Sequence, residues 1–272
     1  MTTAAAGLAL AEAIELVPGR LHTLGAAVEL DGRISWVPPA VRGYQASNAH
    51  LLLEDGRALL VETGAAAVGP ALLRQLVGLL PPGSPLTVIV SRPEFDCSGN
   101  VAELARRYQV SGGGAYDFTR EGLTNLRFAS RGGQLEPGVA IELGPQRRVV
   151  AVPPALRMLL THWLYDEATR SLFTADAFTH VYGRTPAEAR LERRHQAPDV
   201  EAVAASLLAK FWWLRHLHSP HVGDALERLF QTHEVHTIAP SNGAVIHGRP
   251  AVAAHVAAVL AAIRGFESRR WE

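Results

Sequence analysis

Cysteine and lysine each occur once in the 272 residues, as Cys97 and Lys210. A single thiol excludes an intrachain disulfide framework and any CxxC metal site. Every other basic residue among the 26 Lys and Arg is arginine, and with so many alanines this reads as a GC-rich coding bias. There is no excess charge of either sign, 26 basic against 26 acidic residues, which excludes a bulk electrostatic grip on nucleic acid or an anionic membrane. Long apolar runs are also missing. Residues 250–263 are apolar but fall short of a bilayer span and contain His255. The first 17 residues carry Glu12 and Glu15 and no basic region, unlike a secretory signal. A soluble, cytoplasmic protein is expected, with no membrane or nucleic-acid partner. Hydrophobic residues reach 48%, enough for a substantial core.

The first two-thirds reads as short strands joined by turns, over residues 20–24, 33–37, 49–53, 58–62, 86–90, 139–143, 147–152 and 171–174. Asp55-Gly56 between apolar runs is a hairpin signal. Leucines at 72, 73, 76, 79 and 80 place a helix over 68–80, closed by Pro81-Pro82-Gly83. A second helix is expected over 99–108, after a polar loop. Asp199 is a candidate N-cap for a long helix to Leu217, and Ser219-Pro220 for the next. A strand over 234–239 and a helix from about 250 to 264 complete the pattern. No repeat or linker divides the chain, so one α/β domain over residues 20–272 is expected, after an extension at 1–19.

The informative segment runs from Val88 to Asn100. A buried strand feeds a loop with Glu94 and Asp96 two residues apart, and a helix follows. This loop resembles the His-x-Glu-x-Asp-His-x-Gly-Asn loop of the oxygen-binding di-iron domain of flavodiiron proteins, a metallo-β-lactamase fold. Glu94, Asp96, Gly99 and Asn100 are kept; Arg92 and Cys97 stand where that family has histidine. Ser47–Leu52 with Leu60–Gly64 is similar to the family's opening hairpin. Pro154–Arg157 is similar to a Pro-x-Leu-His segment, with arginine at the histidine. Leu172–Phe178 is close to Leu-Phe-Ser-x-Asp-Ala-Phe, and Ile238–Gly243 to Ile-x-Pro-Ser-His-Gly, with Asn242 at the histidine. The segments run in the family's order over about residues 20–265. The resemblance implies a single-domain αββα sandwich; with the sequence running to Glu272, no flavodoxin module is expected.

It also implies a metal site in which one iron would face Arg92, Glu94 and Arg157, and the other Asp96, Cys97 and Asn242, with Asp176 between. All four imidazoles are replaced. A guanidinium has five donors and no acceptor, so it is no ligand, but it pairs well with a carboxylate. Arg92 beside Glu94 and Arg157 beside Asp176 are therefore expected to replace the metal charge, because buried carboxylates without cations are costly. No cofactor is expected, and di-iron reduction of oxygen or nitric oxide is expected to be lost. That leaves a regulatory, binding or assembly role, as a homodimer or with a related protein.

Two alternatives keep an enzyme. One is a hydrolase or oxidoreductase holding a single zinc or iron at Asp96, Cys97 and Asp176. The other binds a small anionic ligand on Arg92 and Arg157 and uses Cys97 as nucleophile. His162 and His180 lie near ligand segments but out of register, so packing roles are expected of them. The aromatic group Phe211-Trp212-Trp213, with His216, His218 and His221, reads as core or dimer contact. Arg190, Arg193, Arg194 and His195, mixed with Glu188 and Glu192, read as a solvated face, with an anionic partner as the alternative. Ser111–Gly114 is glycine-rich without a Walker lysine and reads as a loop.

Overall fold

The computed structural model of the protein describes residues 11–115, 135–217 and 220–268. The strands are β1 (Ile14–Val17), β2 (Leu21–Leu30), β3 (Gly43–Glu54), β4 (Arg57–Val61), β5 (Pro85–Val90), β6 (Gln109–Gly114), β7 (Ala140–Gly144), β8 (Arg147–Val152), β9 (Trp163–Asp166), β10 (Ser171–Ala175), β11 (Leu191–Glu192), β12 (Thr237–Pro240) and β13 (Val245–His247). The longer helices are α1 (Gly69–Leu79), α2 (Val101–Arg107), α3 (Val200–Lys210), α4 (His221–Thr232) and α5 (Arg249–Glu267).

Two mixed sheets form the centre. One has the order β1-β2-β3-β4-β5-β6, the other β11-β13-β12-β10-β9-β8-β7. Their apposed faces share a core containing Leu21, Leu52, Leu59 and Ile89 from the first and Val149, Leu164, Phe173 and Ala239 from the second. Strand side chains alternate between faces. Thus Leu59 and Val61 enter this inner core, while Leu60 joins Leu72, Leu76 and Leu104 beneath α1 and α2. The outer face of the second sheet is covered by α3, α4 and α5, through residues such as Leu207, Leu226 and Val259. These four layers are the expected αββα sandwich.

The Asp55-Gly56 turn joins β3 to β4 as expected, with positive φ at both residues (47° and 74°), as a tight primed hairpin turn requires. Elsewhere the elements differ from the expectation. Residues 14–17 pair with β2, so the sheet begins inside the segment expected as an extension. Residues 33–37 form no strand; β2 pairs instead with Gly43–Leu52. Pro38-Pro39 lack the N–H groups a ladder needs, and Trp36 is drawn over Lys210. Ser111–Gly114 is not a loop but the end of β6, paired in parallel with β5, a long-range partner that local composition does not reveal. The helix expected over 199–217 stops at Lys210, where Phe211 buries itself, and a separate single-turn segment, Trp212–His216, follows. Asp199 is the N-cap of α3, its side chain accepting from the Glu201 amide. The strand expected from Glu234 begins at Thr237. The Ser219 cap and His218 lie outside the described residues. Helix α5 runs past the apolar stretch to 19 residues, long and apolar enough by composition to cross a membrane, with half of it buried. It packs against α3 and β13.

Two polar clamps join the sheets. Asn48 of β3 donates from Nδ2 to the Pro240 (3.0 Å) and Gly243 (2.8 Å) carbonyls. At another point Arg147 of β8, fully buried, holds Asp166 with Nε (3.2 Å) and Nη2 (2.6 Å). Its Nη1 reaches the Leu53 carbonyl (2.8 Å) and Glu54 (3.2 Å) on β3. Removing one partner of such a buried pair strands the other charge. Arg147→Met is expected to lower stability by about 3–5 kcal/mol in urea unfolding, and Arg147→Met/Asp166→Leu to recover most of it. A single-variant loss within the error of the midpoint would contradict this.

Candidate functional site

The functional candidates gather where β5 and β10 end and their following loops meet. β5 delivers Ser91 and Arg92, and a one-turn helix, Phe95–Ser98, carries Asp96 and Cys97. The turn after it needs glycine: a Cβ at Gly99 would lie 2.5 Å from the Ala66 amide nitrogen and 2.7 Å from the Phe95 carbonyl oxygen. Asn100 then donates to the Thr63 carbonyl (2.7 Å), fixing the loop to the end of β4. Asp176 follows β10, and Asn242 follows β12.

Arg92 is the hub. Its Nη2 pairs with Asp96, and its Nε lies 3.1 Å from Asp176 Oδ2, an ion-pair distance although the N–H is not aimed at that oxygen. Lys210 Nζ sits 2.6 Å from the other Asp176 oxygen, and the lysine and aspartate side chains are only 5% and 2% exposed. Asn242 Nδ2 donates to Asp96 Oδ2 (2.7 Å). Trp36 roofs the cluster with its ring centroid 5.4 Å from Nζ, a cation–π distance. Two cations thus face two carboxylates. Burial disfavours charge on Arg92, but Cys97, Asp176, Asp96 and Glu62 around it more than offset this and raise its pKa above the ordinary arginine value.

The second cation is not the expected one. Arg157 is exposed and has no ion pair among the described residues; Lys210, reaching in from the last turn of α3, meets Asp176 instead. Nor does Arg92 pair with Glu94, which stays half-buried while Arg92 turns to Asp96 and Asp176. Sequence reasoning missed Lys210 although a signal was present. The buried α3 positions are Val203, Ser206, Leu207 and Lys210, a helical stripe that puts the chain's one lysine on the core face.

Glu62 is the other missed residue. It is buried at the end of β4 with φ of 66°, accepting from the Ser241 hydroxyl (3.0 Å) and the Ser91 amide (3.3 Å). Burial raises its pKa to about 7, against the opposing pull of Ser91, Arg92 and Ser241. Cys97 is fully buried, and burial, with Glu62 next, pushes its thiol well above its usual pKa; Arg92 only partly counters this. Such a thiol is a poor nucleophile at neutral pH. His50, fully buried beside this region, bonds Thr23 (3.0 Å) and the Pro240 carbonyl (3.1 Å), and burial takes it down to about 4. His162 lies at the border, its amide donating to the Ser91 carbonyl (2.8 Å). His180 turns away to His255.

The residues present do not fit the di-iron centre that the resemblance implies. Asp96 and Asp176 are spent on the protein's own cations, and Asn242 presents its N–H group to Asp96, not an oxygen to a metal. Among the described residues no three His, Cys, Asp or Glu side chains converge as a ligand set. A single ion at Asp96, Cys97 and Asp176 meets the same obstacle, the guanidinium between the two carboxylates.

Two predictions follow from this charge arrangement. Lys210→Met, which leaves Asp176 short of a cation, is expected to cost about 3–5 kcal/mol in urea unfolding, whereas exposed Arg157→Ala stays within about 0.5 kcal/mol; the reverse order would restore Arg157 as the counter-charge. Glu62 gives a pH signature. Its folded pKa is raised, so above pH 4.5 the unfolded chain releases the proton first and stability falls as pH rises from about 4.5 to 7. Glu62→Gln is expected to remove that component, of order 3 kcal/mol, from the stability–pH curve; an unchanged curve would refute it.

No family model and no curated protein matches this sequence. Solved structures do. Rubredoxin oxygen:oxidoreductase from Desulfovibrio gigas superposes with a TM-score of 0.61 at 16% identity, over 94% of this chain and 61% of that one. The flavodiiron protein from Giardia intestinalis gives 0.62 at 13% identity, over 94% and 60%. This chain thus spans about three-fifths of those two proteins. The apo chemotaxis sensor ODP from T. denticola gives 0.61 at 13% identity, over 95% and 93% of the two chains. Two sheets, their flanking helices and these superpositions give the chain the metallo-β-lactamase-like fold of the flavodiiron proteins.

Proposed function

We propose that this chain is a metal-free derivative of the di-iron fold, in which Arg92 and Lys210 hold the charge that irons would supply, and that it acts by binding or assembly, not by reducing oxygen or nitric oxide. The observation that carries this reading is the Arg92 guanidinium between Asp96 and Asp176, with Lys210 on the remaining Asp176 oxygen. A carboxylate so engaged has little to offer a cation, and bound iron would sit against two fixed positive charges. Cys97, Asn242, Glu94 and Arg157 are then vestigial ligand positions. The chemotaxis sensor with the same fold supports a sensing or regulatory role.

A binding role is further supported by where apolar surface is left uncovered. Phe95 (75% exposed), Met158, Leu159 and Trp212 (60% exposed) lie on three segments: the Arg92–Asp96 loop, the Arg157 segment and the turn after Lys210. Arg157 and Glu94, without an ion pair among the described residues, lie on the same segments, a combination of opposite charges suited to a second copy of this chain or a related one. A soluble cytoplasmic homodimer completes the reading.

The test is metal analysis of the purified full chain after anaerobic exposure to ferrous iron and, separately, to zinc, followed by gel filtration and oxygen-uptake measurement. Far less than one ion per chain, no oxygen uptake and a melting temperature indifferent to chelator are expected. Two retained irons with oxygen consumption would overturn the proposal. One retained zinc would favour the mononuclear alternative.

A further inference from the structure

Apart from the charge cluster, the second sheet and its helices enclose a polar cleft that the proposed function does not use. Its inner lobe is a cavity of about 270 Å³ lined by His180, Tyr182, Glu192, Arg194, Gln196 and His255, among others. An outer lobe of about 850 Å³ shares Tyr182, Glu192 and Arg194 with it and adds Arg184, Arg193 and His195. The basic run of the sequence is therefore not a uniformly solvated face: Arg193, Arg194 and His195 rim a cleft, while Arg190 is buried beside it in sequence and donates to the Glu12 carbonyl.

The inner lobe ends on two histidines. His180 Nε2 and His255 Nδ1 are 2.9 Å apart, with ring centroids 5.1 Å apart. His255 is 3% exposed, and burial lowers the pKa of both rings, leaving them neutral near pH 7. One proton lies between them, and the far end of the pair decides which ring owns it. His180 Nδ1 is buried with no partner among the described residues. Were His255 the donor, His180 would carry an N–H there with no acceptor; with His180 as donor, only a bare lone pair is stranded. A buried orphan N–H is the rarer arrangement in proteins. His255 Nε2 therefore carries the proton, and this nitrogen has no partner among the described residues.

The outer lobe adds charge. Glu192 is neutralised by Arg194, whose Nε (3.0 Å) and Nη2 both reach it, and Arg184 Nε lies 3.5 Å from Glu188. Arg193 and His195 have no ion pair among the described residues. Three arginines against two glutamates leave the cleft positive, with donors at both ends and its carboxylates already satisfied.

We infer that this cleft is a binding site for a small oxyanion-bearing molecule, a phosphate or carboxylate compound, whose charged group meets Arg193 beside Arg194 and His195 and whose further acceptor takes the His255 Nε2 proton. Arginine guanidinium groups recognise both oxyanions through charge-assisted hydrogen bonds. The site shares no residue with the Arg92–Lys210 cluster, so it stands or falls independently of the proposed metal-free reading.

The experiment is isothermal titration of the full chain, at low salt and pH 7.5, with inorganic pyrophosphate and, in a separate arm, citrate. One saturable site per chain is expected with at least one of them, and which one responds separates a phosphate from a carboxylate ligand. Arg193→Glu, on an exposed side chain, is expected to weaken binding at least tenfold, about 1.4 kcal/mol. Arg57→Glu, the same charge change on the distant β3–β4 hairpin, is expected to leave binding unchanged, with circular dichroism confirming that both variants fold. No saturable binding by the wild type in either arm would overturn the inference. So would unchanged affinity in the Arg193 variant, or an equal loss in both variants, which would reduce the effect to net charge.

Discussion

The pairing of Arg92 with Asp96 and Asp176, completed by Lys210, is the constraint on which the rest of the site depends. Three separate parts of the chain meet there: the loop after β5, the residue following β10 and the last turn of α3. Each carries a charge that would be costly alone in that setting, where the Asp176 and Lys210 side chains are almost completely buried. Bringing them together fixes their relative placement as a bound ion fixes its ligands, with one difference. Metal ligands can exchange an ion with solvent, whereas here both cations are covalently part of the fold and are always present.

The balance also bears on the groups around it. With two cations matched by two carboxylates, any further negative charge would be in excess. Glu62 is consistent with this: burial lifts it to about 7 even with Arg92 nearby. The Cys97 thiol is pushed the same way, by burial first and by Glu62 and Asp96 beside it. Asn242 contributes two N–H donors and no charge, and spends one on Asp96. A histidine at 242 able to protonate would add a third positive charge to a site already neutral. The residues at 92, 97 and 242 thus suit one charge balance, the one settled by Arg92 and Lys210.

Much of the fold was legible because its signals are local or ordered along the chain. The Asp55-Gly56 hairpin, the leucine stripe of α1 and the doubly buried run of β5 each follow from side-chain periodicity and turn chemistry. What failed was non-local. Strand β6 exists because β5 offers it a parallel partner, and residues 33–37 form no strand because two prolines and the contact of Trp36 with Lys210 outweigh their apolar alternation. At the site, Arg92, Asp96, Asp176 and Asn242 do meet, as the ordered motifs imply. The partner of Asp176 was not legible from motifs, because Lys210 lies on no ligand segment. Only its place in the buried stripe of α3, read together with its being the chain's one lysine, pointed to it.

That origin has a mechanical consequence. Helix α3 covers the outer face of the second sheet through Val203 and Leu207, a contact of the kind apolar surfaces make without fixed register. The Lys210–Asp176 bond adds direction to it, anchoring the helix end at 2.6 Å from the residue after β10. The chain then turns at Phe211, itself buried, and leaves Trp212 in solvent. A cation donated by a helix therefore ties an outer layer to the site, whereas an ion held by loops would tie only the loops. The turn that leaves Trp212 exposed is therefore placed by the same bond that balances the buried charge, and the stability of the core and the position of that turn become one property of the protein.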